Sequence, residues 1–367
     1  MSKLFTPLRI GDVTLAHRVV MAPMTRFRTD DGHIPSSMAV DYYEQRASVR
    51  GTLLITEATL ISPSHGGFPN SPGLWNEAQV EGWRNVVDAV HARGSYIFAQ
   101  LIATGRAADQ ASLLEEAGHC TFSSSPVPLN DNACIPIPMS EHQIDAAVED
   151  FVKAARNAMR AGFDGVELHG ANGYLLDQFL QDTCNQREDR WGGTIENRAR
   201  FPVQVATAVA DAVGAHRVGY RISPWSSFQG MRMAHPIPQF SYLIEKLREL
   251  KLGYLHVIES RVNNNVDIEK TEGIDFALEI WGLTSPVLVA GGFSPASAKH
   301  AVDVEYWNNE VAVVLGRHFL ANPDLPFRIQ HGIDLNKYDR PSFYTPKTSL
   351  GYVDYPFSVE FLAEDSR

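Results

Sequence analysis

The stretch GVELHGANGYLLDQF, at residues 165–179, begins as an apolar strand and then presents three polar side chains within six residues. The imidazole of His169, the amide of Asn172 and the phenol of Tyr174 follow the strand directly. Polar groups in this position are typical of a binding site built at the carboxyl end of a strand. The alternative is a polar loop whose groups satisfy one another's hydrogen bonds.

Seven further short runs, rich in β-branched and aliphatic residues, resemble this strand. Together they predict eight strands, at 18–24, 53–59, 96–101, 165–170, 218–223, 254–260, 286–291 and 311–317. The runs are almost continuously apolar, which is typical of strands buried on both faces. Helical patterns lie between most of them, and they predict helices at 76–94, 140–162, 195–214, 237–251, 273–283, 294–304 and 323–332.

Eight strands that alternate with helices predict an α/β fold, a (β/α)8 TIM barrel. A doubly wound open sheet is the alternative, but it usually carries a Gly-rich loop after its first strand, and none is found here. Residues 3–17 predict an N-terminal β-hairpin that forms a lid on the lower end of the barrel, and residues 103–139 predict a long loop after strand three. Without a repeat or a linker, residues 1–367 are interpreted as one domain.

The composition excludes several classes of partner. The net charge is −11, from 43 acidic and 32 basic residues, and the basic residues are not clustered, which argues against nucleic-acid binding. No apolar run reaches 18 residues and the N-terminus has no apolar signal segment, so we expect neither a membrane span nor secretion. Three cysteines without metal-binding spacing fit a cytoplasmic protein. We expect a monomer or a homodimer.

Barrel enzymes place their chemistry at the carboxyl ends of their strands. From the first strand to the eighth, the residues there are Pro23 and Thr25; Glu57 and Ala58; Gln100; His169, Asn172 and Tyr174; Arg221; His256 and Glu259; Gly291 and Gly292; and Gly316 and Arg317. No lysine is present for a Schiff base, and no set of carboxylates or histidines converges as in a metal-dependent barrel. A glycosidase needs two facing carboxylates, an alternative that Glu57 and Glu259 leave open.

The last two strands point to a phosphate group. Glycines after strands seven and eight, followed by Arg317, match the site where barrels often bind phosphate through backbone N–H groups. The alternative is two tight turns and a surface arginine. Neutral or cationic groups at the other strand ends suit a flat, acceptor-rich ring, so an organic cofactor fits better than a metal.

Five motifs carry a resemblance to a known family. They are MAPMTR at 21–26, HGANGYLLDQF at 169–179, DRWGGTIENRARF at 189–201, GRHFLANPDLPFR at 316–328 and KYDRPSFY at 337–344. With these motifs the chain resembles the Old Yellow Enzyme family of flavin-dependent ene-reductases over residues 3–356. The His-x-x-Asn spacing resembles its fungal and yeast branch.

The resemblance implies one non-covalently bound FMN, with NADPH or NADH as the reductant, and no metal. The cofactor-binding residues that it implies are Pro23, Thr25, Ala58, Gln100, Arg221, Gly291, Gly292, Gly316, Arg317 and Phe343. It further implies that His169 and Asn172 bind the carbonyl or nitro oxygen of a small electrophilic alkene, that hydride comes from the reduced FMN, and that Tyr174 donates a proton. Tyr344 is expected to face the substrate.

Two features leave the substrate open. Position 102 is Ile where many relatives have Trp, so Ile102 is expected to shape the substrate pocket, and residues 260–272 are expected to overhang it. The resemblance favours reduction of unsaturated aldehydes, ketones or nitro compounds. A member of the same family that acts on a pathway-specific unsaturated aldehyde is the alternative. Flavin binding without turnover and a carboxylate-pair hydrolase are two further hypotheses.

Overall fold

A closed barrel of eight parallel strands forms the centre of the part of the chain that the structure describes. The structure is a computed structural model, and it describes residues 2–260, 262–263, 266–267 and 272–365. The barrel strands are β1 Val19–Met21, β2 Leu53–Ile55, β3 Tyr96–Ile102, β4 Gly165–Gly170, β5 Val218–Ile222, β6 Tyr254–Ile258, β7 Val287–Ala290 and β8 Val311–Leu315.

Each barrel strand pairs with the next one along the chain, and β8 pairs with β1 to close the barrel. This closure confirms the predicted (β/α)8 fold and all eight predicted strands, and it excludes the open sheet. A short strand, Thr59–Leu60, also pairs with β3. Further two-residue strands are Phe122–Ser123, Ile137–Pro138, Val262–Asn263 and Val266–Asp267.

Side chains alternate along each barrel strand between the interior and the surrounding helices. In β4, Val166 and Leu168 belong to the large apolar core that includes the helices. Glu167 and His169 therefore point to the other side, into the barrel. The same alternation places Tyr254 among the buried residues of a second cluster that fills the barrel. Strands buried on both faces explain the continuous apolar runs of the sequence.

Twelve α-helices lie within the described residues. They are Ser37–Arg46, Glu77–Ala92, Gln110–Ala117, Glu141–Ala161, Leu175–Leu180, Ile195–Val213, Pro236–Glu249, Asp275–Trp281, Pro295–His300, Arg317–Ala321, Leu325–His331 and Val359–Asp365. All seven predicted helices are among them. In the described part, no helix combines the length and the apolar character that crossing a membrane requires.

Local sequence explains where the longest helix begins and ends. The Ser140 hydroxyl accepts a hydrogen bond from the Gln143 N–H, and Gln143 Oε1 accepts one from the Ser140 N–H. The helix ends at Gly162, whose φ of +96° is a left-handed conformation that favours glycine. By contrast, the sequence did not predict Ser37–Arg46, because its buried face is formed largely by tyrosines and an arginine.

The N-terminal hairpin closes one end of the barrel. Its strands, Leu8–Ile10 and Val13–Leu15, pair antiparallel, and their buried side chains pack into the cluster that fills the barrel interior. Gly11 at the turn lies against the backbone oxygen of His216, which precedes β5. The hairpin therefore covers the amino ends of the strands and leaves the carboxyl ends open.

The long segment after β3 contains regular structure. Residues 103–139 include the helix Gln110–Ala117 and the paired strands Phe122–Ser123 and Ile137–Pro138. Arg187 binds the segment to the barrel by donating hydrogen bonds to the backbone oxygens of Ser124 and Met139, at 3.0 and 2.8 Å. Much of the other unusual segment, 260–272, lies outside the described residues.

Candidate active site

A cavity of about 540 Å³ opens at the carboxyl ends of the barrel strands. This volume is in the usual range for a small-molecule or cofactor site. All but one of the predicted site residues line it: Pro23, Thr25, Ala58, Gln100, His169, Asn172, Tyr174, Arg221, Gly291, Gly292, Gly316, Arg317, Phe343 and Tyr344. The exception is Ile102. Residues from all eight strand ends or the loops that follow them thus meet in one space.

The turn after β4 brings the imidazole, amide and phenol of the opening stretch together. Asn172 and Gly173 both adopt left-handed conformations, with φ of +57° and +77°. The Gly173 N–H donates to Asp177 Oδ2 at 2.9 Å, and the Asn172 N–H donates to Ser223 Oγ at 2.8 Å. The chain therefore changes direction sharply at this turn. The ring centres of His169 and Tyr174 lie 4.9 Å apart at the cavity wall.

Burial sets the protonation of both rings. Burial, followed by the charges of Arg221 and His256, lowers the pKa of His169 well below its usual range, so the imidazole is neutral at physiological pH. Burial raises the pKa of Tyr174 to about 12, and the nearby Gln229 side chain partly opposes that shift. The site thus presents a neutral imidazole and a fully protonated phenol.

A buried network lies below these rings inside the barrel. Gln100 Nε2 donates to Glu167 Oε1 at 2.7 Å, and His256 Nδ1 and the Tyr254 hydroxyl lie 2.8 and 3.0 Å from Glu167 Oε2. Burial alone would raise the pKa of Glu167, but His256, Arg221 and Gln100 outweigh it, and the net shift is downward. Glu167 is therefore a carboxylate that orients Gln100 and compensates the charge of Arg221.

Unpartnered polar atoms in the described part of the barrel indicate a ligand with acceptor atoms. The strand register places Arg221 beside His169 on one side and His256 on the other. Buried Arg221 Nε, His169 Nδ1 and His256 Nε2 have no hydrogen-bond partner among the described residues, and Arg221 and His169 line the cavity. Buried polar groups are rarely left unsatisfied, so groups that line a cavity in this state fit a polar ring bound there.

The opposite end of the cavity fits a phosphate. Gly291 and Gly292 have φ of +133° and +64°, conformations that side chains rarely allow, so the backbone itself can approach a ligand. Gly316 lies close to Met24 in the cavity wall, and a Cβ added to it would lie 3.3 Å from Met24 Sδ. Arg317 follows directly, with its guanidinium 5.8 Å from the centre of the Tyr338 ring. The donor set as a whole fits a flat heterocycle with a terminal phosphate, such as FMN.

An aromatic wall near Tyr174 was missed in the sequence. The rings of Phe27 and Phe68 meet edge to face at 6.3 Å, and Phe68 meets Tyr174 in the same way at 6.1 Å. Phe27 also lies 6.0 Å from Tyr344. The available signal was position: Phe27 directly follows MAPMTR, and Phe68 follows a Gly-Gly pair in the loop after β2. Other missed lining residues include Met24, Ser226, Phe228, Phe293, His318 and Arg340.

The expectation that Ile102 forms a wall of the pocket is wrong. Ile102 is fully buried in a small cluster with Ala58 and Leu60, with Tyr174 packed at its edge. The physical reason is the strand Thr59–Leu60, which pairs with the end of β3 and places Leu60 beside Ile102 in this cluster. Ala58 and Tyr174 face the cavity in its place.

The carboxylate pair of the hydrolase hypothesis does not form. Glu57 accepts a hydrogen bond from the Arg26 N–H at 3.0 Å, and burial raises its pKa to about 7. Glu259 accepts one from the Tyr306 hydroxyl. Neither carboxylate lines the cavity. Within the described residues, no group of three or more His, Cys, Asp or Glu side chains is placed to hold a metal ion.

Comparisons with known proteins found a matching family and similar chains. The family described as NADH:flavin oxidoreductase / NADH oxidase matches residues 3–336. Chanoclavine-I aldehyde reductase fgaOx3 of Penicillium roqueforti is 54% identical over 98% of both chains. Probable inactive reductase easA of Epichloe festucae var. lolii is 49% identical over 100% of this chain and 98% of its own. Old Yellow Enzyme from Pichia sp. AKU4542 superposes with a TM-score of 0.91 at 37% identity, over 98% of this chain and 94% of its own.

Proposed function

This chain belongs to the NADH:flavin oxidoreductase / NADH oxidase family, which includes the Old Yellow Enzymes, and on that premise we propose that it is an ene-reductase. Its reaction is the reduction of the activated C=C bond of α,β-unsaturated aldehydes, ketones or nitro compounds. The observation that carries the proposal is the meeting of His169, Asn172 and Tyr174 at one cavity wall.

FMN is the cofactor that the family and the donor set both favour. Arg221 and Gln100 are proposed to bind the polar edge of its ring, and Gly292, Gly316 and Arg317 its phosphate. The remaining proposed FMN contacts are Pro23, Thr25, Ala58, Gly291 and Phe343. A bound FMN would supply the hydride chemistry that links oxidation of NADPH or NADH to reduction of the alkene.

His169 and Asn172 are proposed to activate the substrate. A neutral imidazole carries one N–H donor, and an amide carries two. Hydrogen bonds from these two groups to the carbonyl or nitro oxygen withdraw electron density from the alkene and make its β-carbon electrophilic. Since burial keeps His169 neutral, this activation does not require an imidazolium ion.

Tyr174 is proposed to complete the reaction by giving its proton to the α-carbon. Its pKa of about 12 keeps the phenol protonated at neutral pH, which a proton donor requires. The presence of all three groups favours turnover over flavin binding alone.

The aromatic wall favours an extended substrate over a small one. Phe27, Phe68 and Tyr344 offer flat apolar faces beside the proposed proton donor. A second candidate function follows from the 54% identical relative, which is named a chanoclavine-I aldehyde reductase. In that case the substrate is a pathway-specific unsaturated aldehyde, and the same three residues act on it.

The colour of the purified protein tests the proposal. We expect a yellow protein that bleaches when NADPH or NADH is added without oxygen and regains its colour when 2-cyclohexenone, cinnamaldehyde or a nitroalkene is added. The saturated product is identified by mass spectrometry. A yellow protein that no nicotinamide bleaches would indicate binding without turnover, and a colourless protein that takes up no added FMN would contradict the assignment.

A further inference from the structure

Two buried arginines flank a residue of the cavity wall in the loop after β1. Arg26 and Arg28 are buried, and Phe27 between them lines the cavity. The φ of Phe27 is +58°, a left-handed conformation that is uncommon for a residue other than glycine and marks a position that the surrounding structure constrains. The loop therefore presents an aromatic ring to the cavity and places two buried guanidinium groups beside it.

Arg28 uses all of its N–H donors on backbone oxygens. The acceptors are the backbone oxygens of Arg26, Ser342, Phe343, Thr348 and Leu350. The distances to the Ser342 and Phe343 oxygens are 2.7 and 2.8 Å. A guanidinium carries about five such donors in a rigid fork, whereas a lysine ammonium carries about three. This position therefore needs an arginine and not simply a positive charge.

Four of these acceptors belong to or directly precede residues 344–350, which we call the C-terminal strap. The aromatic residues on either side of the strap, Phe343 and Tyr352, are buried, whereas Tyr344 and Leu350 within it are 55% and 63% exposed. Segments with few buried apolar contacts have low local stability. The position of the strap therefore depends largely on its hydrogen bonds.

Tyr344, at the start of the strap, forms part of the cavity wall. Its ring centre lies 6.0 Å from that of Phe27 and 6.3 Å from that of Phe343, and all three residues line the cavity. The Lys347 N–H donates to the Phe27 backbone oxygen at 3.1 Å, which joins the strap to the loop after β1. Since Tyr344 directly follows the carbonyl that Arg28 binds, the guanidinium fixes where the Tyr344 ring enters the cavity.

Arg26 contributes to the same arrangement, but it binds only the edges of the strap. Its Nε donates to the Phe343 oxygen at 3.1 Å, and its Nη2 donates to the Gly351 oxygen at 2.6 Å. Arg28 also binds two oxygens within the strap. Arg28 is therefore the arginine whose replacement should release the strap most directly.

We propose that Arg28 is a positioning residue for substrate binding, which holds the C-terminal strap in place so that the Tyr344 ring completes the aromatic wall. This inference rests on the proposed function, because the wall is where an extended substrate would lie. Arg28 does not itself line the cavity, so it acts through Tyr344 and not on the reacting atoms. KM should therefore respond to its replacement, and kcat should not.

Three variants test this role. Arg28→Lys keeps the positive charge but leaves about two of the bound oxygens without a donor. Arg328→Lys is the matched control, because Arg328 is also buried and donates to the backbone oxygens of Asp334 at 2.7 Å and Pro356 at 3.1 Å, which lie outside the strap. Tyr344→Ala removes the ring through which Arg28 is proposed to act.

Hydrogen–deuterium exchange of the oxidised, FMN-loaded enzyme measures the strap directly. We expect Arg28→Lys to speed amide exchange in peptides that span 344–353 by about tenfold or more, the usual consequence of losing hydrogen bonds to a charged group. Arg328→Lys should leave exchange in these peptides unchanged. In the wild-type enzyme, cinnamaldehyde should slow their exchange more than 2-cyclohexenone does, a comparison that needs no variant.

Steady-state kinetics measure the consequence for the substrate. Arg28→Lys should raise KM for cinnamaldehyde about 2- to 10-fold, the usual effect of losing an aromatic contact, and leave kcat within about twofold of wild type. KM for 2-cyclohexenone should change less, because this substrate offers no aromatic ring. In a Tyr344→Ala background, Arg28→Lys should raise KM no further.

The outcomes are distinct. Wild-type exchange in Arg28→Lys, or faster exchange with an unchanged KM for cinnamaldehyde, would overturn the inference while leaving the proposed function intact. The same changes in Arg328→Lys, or an equal rise in KM in the Tyr344→Ala background, would show a general effect on the fold and would also overturn it. If Arg28→Lys does not fold, wild-type exchange that cinnamaldehyde leaves unchanged would overturn it. If the wild-type enzyme reduces no activated alkene, the proposed function fails, and the inference fails with it.

Discussion

The two ends of the cavity are built in different ways. At the end formed by β7 and β8, glycine backbone and the cation Arg317 face the cavity, and two of the glycines have positive φ. At the other end, side chains from the loops after β1, β2 and β4 supply an aromatic wall around neutral hydrogen-bond donors. We interpret the first end as a phosphate site and the second as the place of proton transfer. Changes at one end should therefore leave the other function intact.

The largest expected effect is at the second end. Tyr174→Phe removes the proton donor, and we expect it to slow reduction of an enone by roughly 10²- to 10⁴-fold, the usual contribution of a positioned acid. Flavin content and reduction by NADPH should stay close to wild type, because neither needs the phenol. Stopped-flow measurement of each half-reaction separates the two. An unchanged enone step would show that another acid or water is the main donor.

A smaller effect is expected at the first end. Arg317→Ala should weaken FMN binding by about 10- to 100-fold, which is what the loss of a hydrogen bond to a charged group usually costs. The flavin-to-protein ratio after purification and a titration of the apoprotein with FMN measure this. Arg9→Ala, on the hairpin at the opposite end of the barrel, is the matched control. If Arg317→Ala is fully occupied by FMN and binds it with wild-type affinity, Arg317 does not bind the FMN phosphate.

The aromatic wall allows a further test of the second end of the cavity. Phe68→Leu keeps an apolar side chain but removes the edge-to-face contact with Tyr174. Aromatic contacts contribute about 0.5–1.5 kcal/mol beyond buried area, so KM for cinnamaldehyde should rise ~2- to 10-fold. KM for 2-cyclohexenone, which offers no aromatic ring, serves as the internal control. Equal changes for both substrates would mean that Phe68 supports the site without contacting the substrate.

The sequence predicted the first end of the cavity better than the second, and the reason is physical. The residues of the first end follow directly from strands, so the strand pattern fixes where Gly291, Gly316 and Arg317 lie. Phe68 and Phe228 line the cavity but lie several residues beyond their strands, in loops whose path depends on tertiary contacts such as the hydrogen bond from Arg106 to the Gln229 carbonyl. Local pattern does not encode such contacts.

The same difference between local pattern and tertiary contact explains which elements of the fold the sequence predicted. All eight barrel strands are largely buried and mostly apolar, and their nearly continuous apolar runs predicted them. The helix Ser37–Arg46 was missed because Tyr42, Tyr43 and Arg46 form its buried face, and these residues are not an apolar stripe. The sequence-based prediction placed Ile102 in the pocket because the sequence gives no sign that Thr59–Leu60 forms an extra strand beside the end of β3.

Ile102 now gives a prediction about stability. Since its side chain is buried behind Ala58 and Tyr174, Ile102→Val should lower the free energy of unfolding by about 0.5–1.5 kcal/mol, the usual cost of removing one buried methylene. KM for enones should not change. Urea denaturation and steady-state kinetics on the same preparations provide the measurement. A changed KM with unchanged stability would mean that Ile102 does form part of the pocket wall.

The smallest expected effect concerns His169 and pH. Burial, followed by the neighbouring Arg221 and His256, lowers its pKa well below the usual range, and a base with a lowered pKa stays neutral as the pH falls through that range. Burial raises the pKa of Tyr174 to about 12, so the phenol stays protonated as the pH rises. Burial raises the pKa of two carboxyl groups near the site, Asp177 and Glu57, to about 7.

We therefore expect wild type and His169→Asn to differ in the rate of the enone step but to show parallel pH profiles from about pH 6 to 9. Any dependence near pH 7 should persist in the variant, because Asp177, which accepts a hydrogen bond from the Gly173 N–H, and Glu57 are present in both proteins. Stopped-flow rates at matched ionic strength test this. A change near pH 6.5 that wild type shows and His169→Asn lacks would mean that His169 itself titrates. In that case solvent reaches the imidazole, and the second end of the cavity is more polar than its aromatic wall implies.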